Sequence, residues 1–331
     1  MNILVEMPRG YVTDTFLTPE NIRRLEALGN VTWNQSEQHM SREEFRDALA
    51  GVDVCVCGWG VPRFDSYVLE KADRLKLVAY TAGSVSKVVS DDMYNKGIRI
   101  VCGNEAFGQS VAEGTIAYML ASLRRIPEMR KHMQTQGWRP ERYLTESISD
   151  QTIGLVGLGA VSRYLIEMLK PFHVHIKLYS KHTSPESAEK MGVELAELED
   201  IFSTCKIVSL HCARSPANYH LVNDRLLSMM QPNALLINTA RGDIIDEAAL
   251  VRHLEQEHIR AVLDVYEVEP LPLDSPLRGQ KNALLIPHMG GPAIDRRPYC
   301  AKLVLEDIER LQKGQALENE ITPSRANTMT K

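Results

Sequence analysis

Three segments of the sequence carry side chains that could perform chemistry, and each of them follows an apolar run. They are LINTARGD at 236–243, DVYEVEP at 264–270 and PHMGG at 287–291. Arg241 offers a guanidinium group that can bind a carboxylate through two parallel hydrogen bonds. His288 offers an imidazole, which can donate or accept a proton near neutral pH, and the Glu269 carboxylate can orient such a ring. Each residue alone has an ordinary structural explanation, but together they predict a catalytic site.

The apolar runs that precede these segments explain why the three side chains could meet. Alternation of short apolar runs with helical patterns predicts βαβ units, and therefore a parallel sheet. The carboxyl ends of parallel strands lie at one edge of the sheet, where ligands bind in open α/β folds. We therefore expect Arg241, Glu269 and His288 at one sheet edge.

A glycine-containing turn at the start of this second series of strands predicts a phosphate site. The segment 152–156 reads as a strand, 157–162 as a tight turn and RYLIEMLKPF as a helix, the context that a dinucleotide fingerprint requires. Gly157 would permit the turn, and Gly159 would let a pyrophosphate approach the helix N-terminus. The third glycine of the pattern is replaced by Ser162, which predicts a slightly wider approach of helix and strand.

The residues after the next strand bear on the choice of cofactor. In a site that prefers NAD, an Asp or Glu side chain about 20 residues beyond the turn binds the 2′-hydroxyl of the cofactor's ribose. This sequence has Ser180, Lys181 and His182 there instead. Without that carboxylate a 2′-phosphate is no longer repelled, so we expect NADP, or both NAD and NADP, to be used.

Composition excludes several classes of protein. The 331 residues, 44% hydrophobic and 24% charged with a net charge of −5, are typical of a globular chain of two domains. The negative charge and the absence of a long Lys/Arg run disfavour nucleic-acid and membrane partners and favour a small-molecule substrate. The six cysteines are scattered and have no CxxC spacing, so we expect no metal site and no disulfides. Reduced cysteines of this kind indicate a cytoplasmic location. We see no export signal and no membrane span.

The remaining pattern predicts where the elements lie. Strands are expected near 2–5, 31–33, 52–57, 75–80 and 98–101, and again near 152–156, 175–180, 206–211, 234–239, 259–266 and 282–287. One long helix is expected over 109–126, ended by Pro127, and a last helix over 296–314. The polar tail that ends in SRANTMTK is expected to be disordered.

The three segments, which follow the glycine turn in this order, resemble those of the D-isomer-specific 2-hydroxyacid dehydrogenases. The resemblance covers nearly the whole chain. The resemblance implies that Arg241, Glu269 and His288 form the active site. Arg241 would bind the carboxylate and polarise the carbonyl of a 2-oxoacid, and His288, held by Glu269, would protonate the oxygen once hydride reaches the carbonyl carbon. The product would be a D-2-hydroxyacid.

The resemblance also implies further contacts. Backbone N–H groups of the loop 81–86, at Gly83, Ser84 and Val85, would bind the substrate carboxylate together with Arg241. The segment 211–216 would run over the adenosine, where relatives usually carry proline at Ala213, and Arg214 could reach a 2′-phosphate. The residues expected to contact the cofactor are Gly157, Gly159, Ala160, Val161, Ser180, Lys181, His211, Cys212, Ala213, Thr239, Ala240, Arg241, Asp264, His288 and Gly290.

The implied architecture is α/β, with two Rossmann-like, doubly wound parallel sheets. The dinucleotide-binding domain, residues 103–295, would be inserted into a flavodoxin-like substrate domain formed by 1–102 and 296–331. The helix 109–125 and the arm around Trp138 resemble the family's dimer contact, which implies a homodimer.

Two other functions remain open at this point. The chain could be a non-catalytic, nucleotide-sensing dimeric scaffold like the C-terminal binding protein corepressors, which share the fold and keep the catalytic trio. It could also be a short-form phosphoglycerate dehydrogenase. Within the favoured class, the substrate could be glyoxylate, hydroxypyruvate or a larger 2-oxoacid, and Glu105, Trp59 and Tyr299 are unranked candidates for its pocket.

Overall fold

The structure, a computed structural model, describes residues 1–138 and 140–330 and separates into two units. The first unit contains Met1–Phe107 and Pro292–Lys331, and the second contains Gly108–Gly291. In the chain, the second unit is therefore inserted between the two parts of the first. These limits lie a few residues from those expected at 102 and 295.

The described residues form strands that overlap the predicted apolar runs, with the short β8 as an additional strand. The strands are β1 Asn2–Val5, β2 Asn30–Trp33, β3 Val54–Cys57, β4 Leu77–Tyr80, β5 Arg99–Cys102, β6 Thr152–Val156, β7 His175–Tyr179, β8 Glu194–Leu195, β9 Ile207–Leu210, β10 Leu235–Asn238, β11 Arg260–Leu263 and β12 Ala283–Leu285.

Helices connect these strands. The α-helices are α1 Tyr11–Phe16, α2 Pro19–Leu28, α3 Arg42–Ala48, α4 Asp91–Asn95, α5 Asn104–Leu123, α6 Ile126–Gln136, α7 Ala160–Leu169, α8 Pro185–Met191, α9 Leu198–Thr204, α10 Asp224–Met229, α11 Glu247–Glu255, α12 Arg297–Gln312 and α13 Pro323–Thr328. Short 3₁₀ helices lie at Lys170–Phe172, Pro216–Asn218, Gly242–Ile244, Pro276–Gly279 and Ile294–Arg296.

The two sheets are parallel throughout, as predicted. The first unit has the order β2-β1-β3-β4-β5, which is the flavodoxin-like arrangement. The second has the order β12-β11-β10-β9-β6-β7-β8, so the chain reverses direction across the sheet between β6 and β9. Such a reversal opens a crevice at the carboxyl ends of the two strands.

Both faces of each sheet are buried, which explains the nearly continuous apolar runs. In β1, Leu4 packs into one core cluster, whereas Ile3 and Val5 pack into another. In β10, Leu236 belongs to one cluster of the second unit, and Leu235 and Ile237 belong to a different one. Strands buried on both sides cannot show polar alternation. Helices on both faces make each sheet doubly wound, as predicted.

The predicted helix over 109–126 has the wrong limits. Helix α5 begins at Asn104 and ends at Leu123, before Pro127. Pro127 instead lies in the first turn of α6, where its missing N–H costs no hydrogen bond. The break comes from Arg125, whose backbone adopts a left-handed conformation with φ of 51°. The sequence pattern showed the proline but not this turn.

The prediction of a disordered tail is also wrong for the described residues. The tail forms α13, in which Ala326 is buried, and Tyr94 donates a hydrogen bond to the Ile321 carbonyl. The buried carboxylate of Asp307 on α12 accepts hydrogen bonds from the backbone N–H groups of Glu318 and Asn319, at 2.7 and 3.0 Å. The tail therefore packs on the first unit.

No helix in residues 1–138 and 140–330 combines the length and the apolar character that crossing a bilayer would require.

The Asp307 contacts lead to a prediction about stability. Asp307→Ala leaves the N–H groups of Glu318 and Asn319 without their acceptor, so we expect the free energy of unfolding to fall by about 1.5–3 kcal/mol. Denaturant unfolding measures this change. Glu306→Ala on the same helix, which removes only a 3.8 Å contact with Lys302, should cost well under half as much. Equal losses for the two variants would contradict the role given to Asp307.

Candidate functional site

The turn after β6 and the loop after β9 touch at the point where the strand order reverses. The His211 N–H donates to the Val156 carbonyl at 2.8 Å. Gly157 has φ of 101°, and a Cβ added there would lie 2.7 Å from the Cys212 backbone. Only glycine satisfies both constraints, the left-handed backbone and the close approach. The crevice at this edge therefore begins at a turn that excludes larger residues.

The N-terminus of α7 fits the pyrophosphate of a dinucleotide. Gly159 precedes the helix, and a Cβ added at Gly159 would meet no atom within 4 Å. No side chain in the described part of the chain caps this N-terminus, so its first N–H groups, beginning with those of Ala160 and Val161, are not occupied by a capping side chain. Helix N-termini of this kind bind anions through N–H groups and the helix dipole. The residues present fit a bound nicotinamide dinucleotide.

Ser162 replaces the third glycine without preventing the turn. Its side chain is fully buried, and its hydroxyl donates a hydrogen bond to the Gly157 carbonyl at 2.7 Å. The added polar atom is therefore satisfied inside the helix–strand contact. Close packing at this end also depends on Gly108, where a Cβ would lie 2.6 Å from the Ala160 side chain.

Ser180 and Lys181 lie just after β7, where the cofactor ribose is expected. The Ser180 hydroxyl accepts a hydrogen bond from Thr183 at 2.7 Å, and Lys181 and His182 are exposed. Arg214, the other candidate for a 2′-phosphate, forms an ion pair with Asp243 at 2.6 Å. The arrangement places hydroxyl groups and two exposed basic side chains beside β7.

Arg241 is held by the turn that follows β10. The buried Asn238 side chain accepts from the Ala240 N–H at 3.0 Å and donates to the Arg241 carbonyl at 2.8 Å. Gly242 then packs against the loop after β11, since a Cβ there would lie 1.8 Å from the Tyr266 carbonyl carbon. Burial lowers the pKa of the Arg241 guanidinium, and the negative charge of Glu269 opposes that effect. Arg241 is thus a partly buried cation near a carboxylate.

Glu269 and His288 form a hydrogen-bonded pair. One Glu269 oxygen accepts from the Tyr266 N–H at 3.0 Å, and the other lies 2.6 Å from His288 Nδ1. This contact leaves Nε2 of the ring available, and half of the His288 side chain is exposed to solvent. A carboxylate on Nδ1 fixes the orientation of the ring, and an imidazole can donate or accept a proton near neutral pH. The pair can therefore supply a proton to a bound molecule.

Asp264 holds the loop that carries His288. It is 1% exposed, and its two oxygens accept the N–H groups of Met289 and Gly290, both at 2.7 Å. Burial raises the pKa of the Asp264 carboxyl, while these two hydrogen bonds oppose the rise. A Cβ at Gly290 would lie 2.5 Å from the same carboxylate. Asp264 was predicted to contact the cofactor, and the structure assigns it this structural role.

The other predicted cofactor contacts line the same edge. The Thr239 hydroxyl lies 3.2 Å from that of Thr115 on α5. Nε2 of His211 lies 2.9 Å from the Ser209 hydroxyl, and burial lowers the pKa of His211 to about 4, so the ring is neutral near pH 7. The Ala213 carbonyl accepts the Asn218 side-chain amide at 2.7 Å. Thr239 and His211 follow β10 and β9, two neighbouring strands of the sheet.

The predicted substrate loop belongs to the first unit and follows β4. In the described residues, the backbone N–H groups of Gly83, Ser84 and Val85 donate to no protein acceptor. Gly83 and Val85 are buried, where an unpaired N–H is costly unless a ligand accepts from it. The Ser84 hydroxyl donates to the Thr330 carbonyl at 2.6 Å, and Ser86 donates to the same oxygen. The tail thus fixes a loop whose N–H groups can bind an anion.

The structure also identifies residues that the sequence analysis missed. Asn238, Gly242 and Tyr266 position the catalytic candidates without being assigned a role in advance. Tyr266 donates its hydroxyl to the carbonyls of Leu263 and Ile286, which joins the ends of β11 and β12. The position of Asn238, a polar residue at the end of a buried strand, was the one feature of the sequence that could have indicated its role. Gly242 and Tyr266 act through tertiary contacts, which the sequence does not show.

Comparison with known proteins agrees with this geometry. Residues 116–290 match the model of the D-isomer specific 2-hydroxyacid dehydrogenase NAD binding domain. The chain is 32% identical over 314 residues to a D-3-phosphoglycerate dehydrogenase of Methanocaldococcus jannaschii, covering 94% of this chain and 58% of that protein. It is 31% identical over 265 residues to a glyoxylate reductase of Thermococcus litoralis, covering 78% of this chain and 80% of the relative.

A solved structure shows the same fold. A phosphoglycerate oxidoreductase from Rhizobium etli superposes with a TM-score of 0.81, at 22% identity, covering 97% of this chain and 99% of that one. Residues 116–290, which match the family model, contain the glycine turn and the segments of Arg241, Glu269 and His288. The chain therefore belongs to the D-isomer-specific 2-hydroxyacid dehydrogenase family.

Proposed function

We propose that the protein reduces a 2-oxoacid to the D-2-hydroxyacid with a nicotinamide cofactor, and catalyses the reverse oxidation. The observation that carries this proposal is the Glu269–His288 pair, 2.6 Å apart, on the sheet edge that also holds Arg241 and the dinucleotide turn. Relatives named glyoxylate reductase and D-3-phosphoglycerate dehydrogenase support it.

The roles of the residues follow from their chemistry. When bound, the reduced nicotinamide supplies a hydride to the carbonyl carbon. Arg241 binds the carboxylate and polarises the carbonyl, because its fork reaches two oxygens at once. His288 donates its proton to the carbonyl oxygen as the alkoxide develops, and Glu269 stabilises the imidazolium before transfer. In the first unit, the free N–H groups at Gly83, Ser84 and Val85 bind the substrate carboxylate.

Substitution of the trio tests these roles. We expect Arg241→Lys and His288→Gln each to lower kcat/KM for a 2-oxoacid by about 100-fold or more, since each removes a group needed in the transition state. Glu269→Gln should lower kcat because the imidazolium loses its counter-charge. Initial rates of NADH and NADPH oxidation, at 340 nm, measure all three.

Matched variants in the second unit control for structure. Arg252→Lys changes an exposed arginine paired with Asp224, and His175→Gln changes an exposed histidine 2.7 Å from Glu194. Both should keep activity within about twofold of wild type. If folded Arg241→Lys and His288→Gln proteins turned over as fast as these controls, the assigned roles would be wrong.

We propose that the cofactor is NADP, or both NADP and NAD, because Ser180, Lys181 and His182 place no carboxylate beside the ribose. Ser180→Asp should therefore shift the ratio of kcat/KM values for NADPH and NADH at least about tenfold toward NADH, by repelling a 2′-phosphate. Ser149→Asp adds the same charge at an exposed position elsewhere in the unit and should leave the ratio unchanged. An unchanged ratio in Ser180→Asp would exclude Ser180 from cofactor selection.

We propose that the protein is a homodimer and that α6 and the segment after it form the contact. No residue of α6 is buried within the unit. Its exposed apolar side chains continue into Trp138, 71% exposed, and Leu144, 74% exposed. Large exposed apolar patches mark interaction surfaces. The family resemblance implied a dimer contact through the helix 109–125 and the arm around Trp138; we keep the arm and replace that helix with α6. Arg139, within this arm, lies outside the described residues.

Light scattering tests the dimer. Wild type should have twice the chain mass of 37.3 kDa. Trp138→Ser combined with Leu144→Ser should shift it toward the monomer by removing apolar contact area. Leu273→Ser, at a 90% exposed leucine outside the patch, should leave the mass unchanged. A monomeric wild type would contradict the proposal.

We also propose a cytoplasmic location. The six cysteines are free thiols in the described structure, and Cys212 alone among them is not fully buried. Unpaired thiols are typical of reducing compartments.

A further inference from the structure

The first unit contains a cavity at the carboxyl edge of its sheet that none of the roles above uses. It has a volume of about 450 Å³, within the range of about 300–1,000 Å³ for small-molecule pockets. The loops that follow β1, β3 and β4 contribute to it, at 7–13, Gly58–Trp59 and Thr81 respectively. Carboxyl edges of parallel strands are the common location of ligand sites in this class of fold.

One wall of the cavity is a rigid aromatic surface. The Trp59 ring meets Phe16 edge-on at 5.2 Å and Phe107 edge-on at 5.8 Å. The Arg297 guanidinium lies 5.4 Å from the Trp59 ring centre. Despite these contacts, 42% of Trp59 is exposed. A fixed indole with an open face offers apolar contact area at little cost in conformational entropy.

The backbone around Trp59 is shaped to keep it there. Gly60 has φ of 86°, and a Cβ at Gly60 would lie 2.5 Å from Nε2 of His39. His39 in turn is fixed by the fully buried Glu6, whose two oxygens lie 2.9 and 3.1 Å from Nδ1. The Glu6 contact thus fixes the His39 ring, and Gly60, next to Trp59, packs closely against that ring. The wall is therefore preorganised rather than formed on binding.

The cavity adjoins the loop proposed to bind the substrate carboxylate. Thr81 lines the cavity, and Gly83, the first of the three residues with free N–H groups, is two residues further on. Two residues of chain span at most about 7 Å. A small molecule whose carboxylate binds the loop can therefore extend its other end toward Trp59.

The charges at the cavity favour a neutral occupant. Of the two basic residues that line it, Arg9 lies 4.9 Å over the Trp33 ring and donates to Gln35, and His39 is paired with Glu6. The remaining charged residue of the described lining, Glu37, is acidic. A second anionic group would lose water against the Trp59 and Phe16 rings, which costs free energy, whereas an apolar group would gain from contact with the same two rings.

We infer that this cavity binds the side chain of the 2-oxoacid and selects aryl or branched-alkyl side chains over glyoxylate and over phosphorylated or dicarboxylic 2-oxoacids. The inference rests on the proposed function. Glyoxylate has no side chain, so the cavity would stay filled with water, and glyoxylate would gain no binding free energy from contact with Trp59.

Substrate profiles test the inference. For wild type, kcat/KM should be at least about tenfold higher for phenylpyruvate or 4-methyl-2-oxopentanoate than for glyoxylate or 2-oxoglutarate. Trp59→Ala should lower kcat/KM for phenylpyruvate by about 10- to 100-fold and that for glyoxylate by less than about threefold, because only the larger acid reaches the wall. Trp59→Phe should restore part of the loss.

Two further variants keep the result interpretable. Val12→Trp, at a half-exposed residue of the lining, fills the cavity without disturbing the core and should lower only the rate with large acids. Tyr67→Ala removes another exposed aromatic ring of the first unit, under Arg46 and outside the cavity, and should change neither rate.

The outcomes separate this inference from the proposed function. Preference for glyoxylate or for a phosphorylated or dicarboxylic acid, or equal losses with both substrates in Trp59→Ala and Val12→Trp, would overturn the side-chain assignment alone. Absence of turnover with every 2-oxoacid would overturn the proposed function and, with it, the inference.

Discussion

The site depends on one buried carboxylate. Asp264 accepts the N–H groups of Met289 and Gly290 at 2.7 Å and so fixes the loop in which His288 adopts a left-handed backbone with φ of 50°. A non-glycine residue in that conformation carries strain and persists only where its surroundings impose it. His288 is thus held twice, by Asp264 through its backbone and by Glu269 through its ring. The proposed proton donor is therefore positioned by contacts within the protein itself.

The same principle explains the other loops at this edge. Asn238 fixes the turn that carries Arg241, and the absence of a side chain at Gly242 lets that turn lie against Tyr266. The backbones of Arg241 and His288 are therefore positioned by buried polar contacts and close backbone approaches, in addition to the contact between Glu269 and the His288 ring. In enzymes such preorganisation lowers the reorganisation needed during reaction. It also leaves Nε2 of the His288 ring available to a substrate, while one nitrogen of the Arg241 guanidinium donates to the Ala240 carbonyl.

Much of this could be predicted from the sequence, and the reasons are specific. The strands were predictable because both faces of each sheet are buried, and the meeting of Arg241, Glu269 and His288 followed from parallel topology. The end of α5 and the ordered tail were not predictable, because Arg125 and Asp307 act through backbone conformation and long-range hydrogen bonds. The role of Asp264 was likewise hidden, since its partners are 25 and 26 residues away in the chain.

The most direct test of the account is the initial rate of NADH and NADPH oxidation by the wild-type protein with glyoxylate, hydroxypyruvate, pyruvate, 4-methyl-2-oxopentanoate and phenylpyruvate. We expect turnover with at least one of these acids and formation of the D-hydroxyacid. Tight binding of either dinucleotide, measured by calorimetry, with no oxidation in the presence of any acid would contradict it. That result would favour a nucleotide-sensing scaffold.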